Sequence, residues 1–139
     1  MAIRSTEDHV EALRPRVREY TPDELATMLA SRTDVVVIDV REVQELIDLG
    51  VIPGSRHVPR GMLEFWADPA MTYYREFFSG DREIVVHCAA GQRSVLAAIA
   101  LQVMGYPRVA HLAGGFTAWV AAGHPVEPAP AASKWARRP

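Results

Sequence analysis

Residues 83–106 read EIVVHCAAGQRSVLAAIALQVMGY. The first six residues, Glu83 to Cys88, form a short, mostly β-branched apolar run. Such a run marks a strand buried on both faces, as parallel sheets require. The small residues Ala89, Ala90 and Gly91 interrupt it. After Gln92, Arg93 and Ser94 the chain turns apolar again from Val95 to Leu101, in a helix that ends near Gly105. A buried strand, a tight loop and a buried helix in succession form half of a βαβ unit.

Working outward, the same grammar repeats. VVVIDV (Val35–Val40) is a second buried strand, with Asp39 the one polar residue near its end. Arg41–Gly50 reads as a short helix closed by glycine. Pro53-Gly54 is a turn, and a short strand follows near Arg56–Val58. Arg108–Leu112 is a further strand, and Gly114–Gly123 a glycine turn with a final helix. Upstream, TPDELATMLA starts a helix with Thr21 as N-cap, Pro22 at N1 and Glu24 completing a capping box. Leu25, Met28 and Leu29 make its apolar stripe. Strands alternating with helices specify an α/β fold, with a mainly parallel central sheet of four to five strands and helices on both faces. The expected division is an N-terminal arm over 1–20, one domain over 21–126 and a flexible tail over 127–139. The arm is polar, with room for one short helix or strand. The tail is rich in proline and alanine. Residues 61–80 are less regular and fit one or two helical turns.

The bulk numbers agree with a single globular domain. The chain has 139 residues, of which 49% are hydrophobic and 23% charged. Net charge is −2, so no nucleic-acid footprint or membrane-binding patch is expected. No apolar run approaches the roughly 18 residues of a membrane span. Residues 1–16, MAIRSTEDHVEALRPR, lack the apolar stretch of a secretory leader, and a cytoplasmic location is expected. The single cysteine rules out an intrachain disulfide, a multi-cysteine metal site and an internal resolving thiol.

A lone cysteine is ordinarily a buried, inert residue. The position of Cys88 argues otherwise. It lies at the carboxyl end of a strand, where open α/β sheets bind their ligands. The small residues behind it let successive backbone N–H groups turn inward as an anion cradle. The following helix adds free N–H donors and a partial positive charge, and Arg93 a full one. Cysteine acidity rises sharply in such a setting. A fall of about two pKa units corresponds to roughly 2.7 kcal/mol in favour of the thiolate. A thiolate held on an exposed rim is the expectation. The cradle also suits a persulfide, a thiosulfate-like oxyanion or a phosphate.

Four blocks of sequence carry a resemblance to the rhodanese family. They are Asp39-Val40-Arg41 after the strand, Pro53-Gly54 with His57-Val58-Pro59, VVHCAAGQRSVLAA, and GYPRVAHLAGGFTAWVAAGHPV with Gly114, Gly115 and Trp119. The resemblance covers about residues 20–126. It implies that Cys88 is the catalytic nucleophile and that Arg93 closes its loop. Ala89, Ala90, Gly91, Gln92 and Ser94 would bind substrate. Asp39 and Arg41, at the end of the neighbouring strand, read either as substrate-site residues that hold the loop and line the pocket or as a structural ion pair that fixes the loops. Four residues separate Cys88 from Arg93, similar to the sulfurtransferases. The related dual-specificity phosphatases and arsenate reductases have five, a loop wide enough for a tetrahedral oxyanion. Val51 stands where relatives usually carry histidine.

The implied activity is transfer of sulfane sulfur through a Cys88 persulfide, from a donor such as thiosulfate or a persulfide to a thiol or cyanide. The alternative is a persulfide-carrying or regulatory interaction module with little small-molecule turnover. Partners would be a small sulfur-donor anion and an external thiol acceptor, a protein thiol among them. No metal or organic cofactor is implied. The five histidines lack close metal-ligand spacing, and His87, adjacent to Cys88 on its strand, should point to the opposite face. Glu42 and Glu45 read as helix surface, Trp119 as core, and Arg60, Glu64, Phe65 and Trp66 as ordinary surface and core.

Overall fold

The structure, a computed structural model, describes residues 2–130. Of the expected tail over 127–139, residues 131–139 lie outside the described residues. Five parallel strands form one sheet: β1 (Arg18–Tyr20), β2 (Val35–Asp39), β3 (Arg56–His57), β4 (Glu83–His87) and β5 (Val109–Leu112). Their order is β1-β5-β4-β2-β3, with β4 at the centre. Every residue of β4 is buried, because both faces of the central strand are covered by helices.

Side-chain alternation along the strands divides the core in two. Val36 and Ile38 of β2, Ile84 and Val86 of β4 and Val109 of β5 face one side, together with Cys88. There they pack against α1 (Thr6–Leu13), α4 (Leu63–Trp66) and α5 (Arg93–Val103). Val37, Val85, Ala110 and Leu112 face the other side, against α2 (Pro22–Ser31) and α6 (Gly115–Ala121). The remaining helix, α3 (Val43–Leu49), follows β2 and ends at Gly50. The Thr21 capping box is present, with the Thr21 hydroxyl accepting the Glu24 N–H and the Glu24 carboxylate accepting the Thr21 N–H.

The stretch expected as an arm contributes to the domain core. Val10 of α1 is fully buried, Val17 is buried beside it, and β1 pairs with β5 along Arg18↔Ala110, Glu19↔His111 and Tyr20↔Leu112. At the other end Glu127 exchanges backbone hydrogen bonds with Val51 at 2.8 and 3.0 Å. Residues 60–66 form a 3-10 turn (Arg60–Met62) and α4, and turns follow up to β4. No helix among the described residues is long and apolar enough to cross a membrane.

Candidate active site

Cys88 is the first residue beyond β4, at the carboxyl end of the central strand. Its Sγ accepts the Gly91 N–H at 3.2 Å and lies 3.5 Å from Ser94 Oγ. The loop must fold back on itself to bring the Gly91 amide there. Gly91 does so with φ of +91°, and a Cβ on it would meet the Gly114 nitrogen at 3.1 Å. Glycines 114 and 115 are equally constrained. The Phe116 N–H donates to the Cys88 carbonyl at 2.8 Å and the Thr117 N–H to the Ala89 carbonyl at 3.0 Å. The first turn of α6 thus pins the Cys88 loop from the far side of the sheet.

Burial pushes the Cys88 thiol up. Hydrogen bonds from the Ser94 hydroxyl and from the backbone N–H groups of Ser94, Gly91 and Ala90 outweigh it, and the net acidity is greater than that of an ordinary cysteine. The expectation of an exposed rim needs correction, since Cys88 is 1% exposed. Its side chain continues the buried face of β4, and the loop closes over it. Ala90 and Gln92 form the exposed outer edge of the loop, while Ala89 is half-buried and Gly91 and Ser94 are buried.

Arg93 lies at the start of α5, but its guanidinium is engaged elsewhere. It makes a two-pronged ion pair with Glu45 of α3, both bonds 2.8 Å, and the Arg93 side chain is 41% exposed. Its charge still acts on Cys88 through space. Arg93 holds the Glu45 carboxyl down at about 2. By its sequence pattern Glu45 is plain helix surface. It is part of the site's electrostatics, and the two residues are 48 positions apart in sequence, so no local pattern could reveal the pair.

Asp39 and Arg41, read either as pocket residues or as a structural ion pair, form a buried ion pair in the structure. Both side chains are 0% exposed, and Asp39 sits on the α2/α6 side of the sheet. Arg41 donates to Asp39 at 2.8 and 3.0 Å and to the Gly50 carbonyl at 2.8 Å. Its guanidinium lies 4.1 Å from the Phe116 ring centroid. Burial raises Asp39, but His87 and Arg41 outweigh it and keep the carboxylate ionised. His87 is buried opposite Cys88, and burial depresses its basicity. This cluster therefore fixes the ends of β2 and β4 and the start of α6. Arg60 pairs with Glu64 at 2.7 Å, Phe65 is exposed and Trp66 lies in the core.

The strand order, the two-sided sheet and a cysteine loop at the end of β4 decide the family question together with a profile match. The rhodanese-like domain profile matches residues 21–122. The chain belongs to the rhodanese-like domain family. A sulfurtransferase of Allochromatium vinosum is 31% identical over 110 residues, covering 79% of this chain and 94% of that protein. A solved structure from Rhodopseudomonas palustris, titled a protein of unknown function and possible tyrosine phosphatase, is 39% identical. It covers 91% of this chain and 97% of its own, with a TM-score of 0.86. A rhodanese-related protein of Thermoplasma volcanium is 30% identical over 79% of this chain and 97% of its own, with a TM-score of 0.65. The family and the named sulfurtransferase support sulfur transfer as the general activity of this rhodanese-like chain.

Proposed function

We propose that the chain transfers sulfane sulfur through a persulfide on Cys88, with thiosulfate or a persulfide as donor and a thiol or cyanide as acceptor. The carrying observation is the cradle itself: a buried Sγ held by the Gly91 N–H and beside the Ser94 hydroxyl, with Arg93 nearby. With thiosulfate, the Cys88 thiolate attacks the outer sulfur. A bond forms between the two sulfurs, the S–S bond of thiosulfate breaks, and sulfite leaves with its electron pair. The new terminal sulfur keeps the negative charge that the loop amides stabilise. An acceptor thiolate or cyanide then attacks that terminal sulfur. The Cys88 persulfide bond breaks, and the thiolate is regenerated. This is nucleophilic catalysis by an activated cysteine, and the absence of a second cysteine makes the acceptor an outside molecule.

Incubation with thiosulfate followed by intact-mass measurement tests the proposal. The expected result is a gain of one sulfur atom, reversed by reductant and absent in Cys88→Ser. No gain from thiosulfate or from a low-molecular-weight persulfide would overturn it. Stable loading with negligible thiocyanate production would favour the persulfide-carrier reading, which the burial of Cys88 supports. Release of phosphate from an aryl phosphate would favour a phosphatase activity, the reading named for the Rhodopseudomonas palustris protein.

A further inference from the structure

Beneath Cys88 a chain of polar side chains runs through an otherwise apolar interior. Ser94 Oγ is 3.5 Å from Cys88 Sγ and 3.0 Å from His111 Nδ1. On its other edge, His111 Nε2 is 2.8 Å from Glu19 Oε2. Ser94 and His111 are both fully buried, whereas the Glu19 side chain is 41% exposed. The chain therefore connects the buried sulfur to solvent through one hydroxyl and one imidazole. Three elements meet to make it: α5 supplies Ser94, β5 supplies His111, and the edge strand β1 supplies Glu19. Arg14, preceding β1, faces the same carboxylate at 3.2 Å.

We propose that Ser94, His111 and Glu19 form a proton path that takes the proton of the Cys88 thiol and holds it on His111. The reading rests on Cys88 as the nucleophile and adds how its thiolate is made. Two hydrogen-bonding states satisfy every member. In the first, the Cys88 S–H donates to Ser94, the Ser94 O–H donates to His111 Nδ1, and His111 Nε2–H donates to the Glu19 carboxylate. In the second, one proton has moved along the chain. The Cys88 S–H and the original Ser94 O–H bonds break, and new O–H and Nδ1–H bonds form. The sulfur keeps its electron pair as a thiolate that accepts from Ser94, and His111 becomes an imidazolium between the serine oxygen and Glu19. No co-reactant is needed, because the proton is conserved within the protein.

The surroundings act on this exchange in both directions. Burial outweighs the pull of Glu19 and leaves His111 less basic than an ordinary imidazole, so the resting ring is neutral and available as an acceptor. Glu19 pulls in the opposite direction and supports the imidazolium once it forms, while Arg14 opposes it. Across β4 the neighbouring register position is Val86, which brings no charge. In a low-dielectric interior a thiolate and an imidazolium two hydrogen bonds apart stabilise each other. Their titrations then belong to the coupled system and not to either residue. Ser94 touches the sulfur. His111 and Glu19 act through it and are positioning residues.

The test is the pH dependence of Cys88 alkylation by iodoacetamide in the full chain; burial of the sulfur slows the reaction at every pH, and the midpoint of the profile reports the apparent thiol pKa. It uses no sulfur donor, so its outcome is independent of whether sulfur transfer occurs. His111→Asn retains a hydrogen-bonding group but cannot accept the proton. The expected result is an apparent thiol pKa about one unit higher and alkylation at neutral pH about tenfold slower. Ser94→Ala should give a comparable shift, and the double variant no further loss, because either change breaks the same path. Glu19→Gln, at a half-exposed site, should give a smaller shift of the same sign, about threefold in rate. A profile moved by Ser94→Ala alone would overturn the proposal, since the hydroxyl would then act without His111. Should His111→Asn fail to fold by circular dichroism, Glu19→Gln decides: an unchanged profile refutes the path.

Discussion

Replacing Gly115 by alanine tests whether α6 holds the Cys88 loop by close backbone contact. Gly115 has φ of +61°, and an added Cβ would lie 2.5 Å from the Cys88 carbonyl oxygen and 2.7 Å from the carbonyl of Ala89. Backbone atoms cannot swing away as a side chain can, so α6 and the loop must separate. The left-handed conformation alone costs a non-glycine residue about 1 kcal/mol. Separation weakens the Phe116 and Thr117 hydrogen bonds to Cys88 and Ala89, at about 1 kcal/mol each. The expected destabilisation is about 3 kcal/mol, a fall in Tm of roughly 10 °C for a domain of this size. Gly123→Ala is the control. Gly123 has φ of +81° but nothing within 4 Å of the added Cβ, so it carries the conformational cost alone. Its Tm should fall by roughly 3 °C. Thermal unfolding of both variants, followed by iodoacetamide alkylation of Cys88, separates the two contributions. Equal Tm losses in the two variants, with an unchanged alkylation rate in Gly115→Ala, would refute the claim that this contact shapes the loop.

Three further outcomes are expected. Asp39→Asn leaves the buried Arg41 guanidinium without its counter-charge and should cost about 3–5 kcal/mol in urea unfolding. The Glu45 carboxyl is held at about 2 in the folded chain against an ordinary value of 4.5. A depressed folded pKa stabilises at pH above the unfolded value, and that stability is lost as pH falls from about 4.5 to about 2. Wild type should therefore lose more stability than Glu45→Gln across that window in acid titrations of Tm. Val10→Ala should cost about 2 kcal/mol by chemical denaturation, because the side chain is fully buried in α1 against the sheet.

Local pattern explains which parts of the chain could be read in advance. β2 and β4 are short runs of β-branched residues, and only a two-sided parallel sheet buries such runs completely. The Thr21-Pro22-Glu24 start of α2 satisfies its own end groups within four residues, so it needs no tertiary help. The loop between Cys88 and Arg93 is likewise a contiguous stretch, and its small residues permit the curl that aims the Gly91 amide at the sulfur. Residues 1–20 carry no such pattern, because their polar composition hides a stripe as sparse as Val10 and Val17. Both become core only once β1 has found the β5 edge.

The surroundings of Cys88 belong to a different level. Its place at the end of a central strand, the tight loop and the charge of Arg93 all follow from contiguous residues. Its burial does not, nor do the partners that tune it. Arg93 meets Glu45 because α3 and α5 converge at the carboxyl end of the sheet. His111 lies between Ser94 and Glu19 because β5 is inserted between β4 and β1, which joins residues 92 positions apart. Asp39 and Arg41 turn away from the sulfur because side chains alternate along β2. The order of parallel strands, β1-β5-β4-β2-β3, decides these neighbours. That order arises from crossover connections and helix packing over the whole domain, and no periodicity within a single segment encodes it.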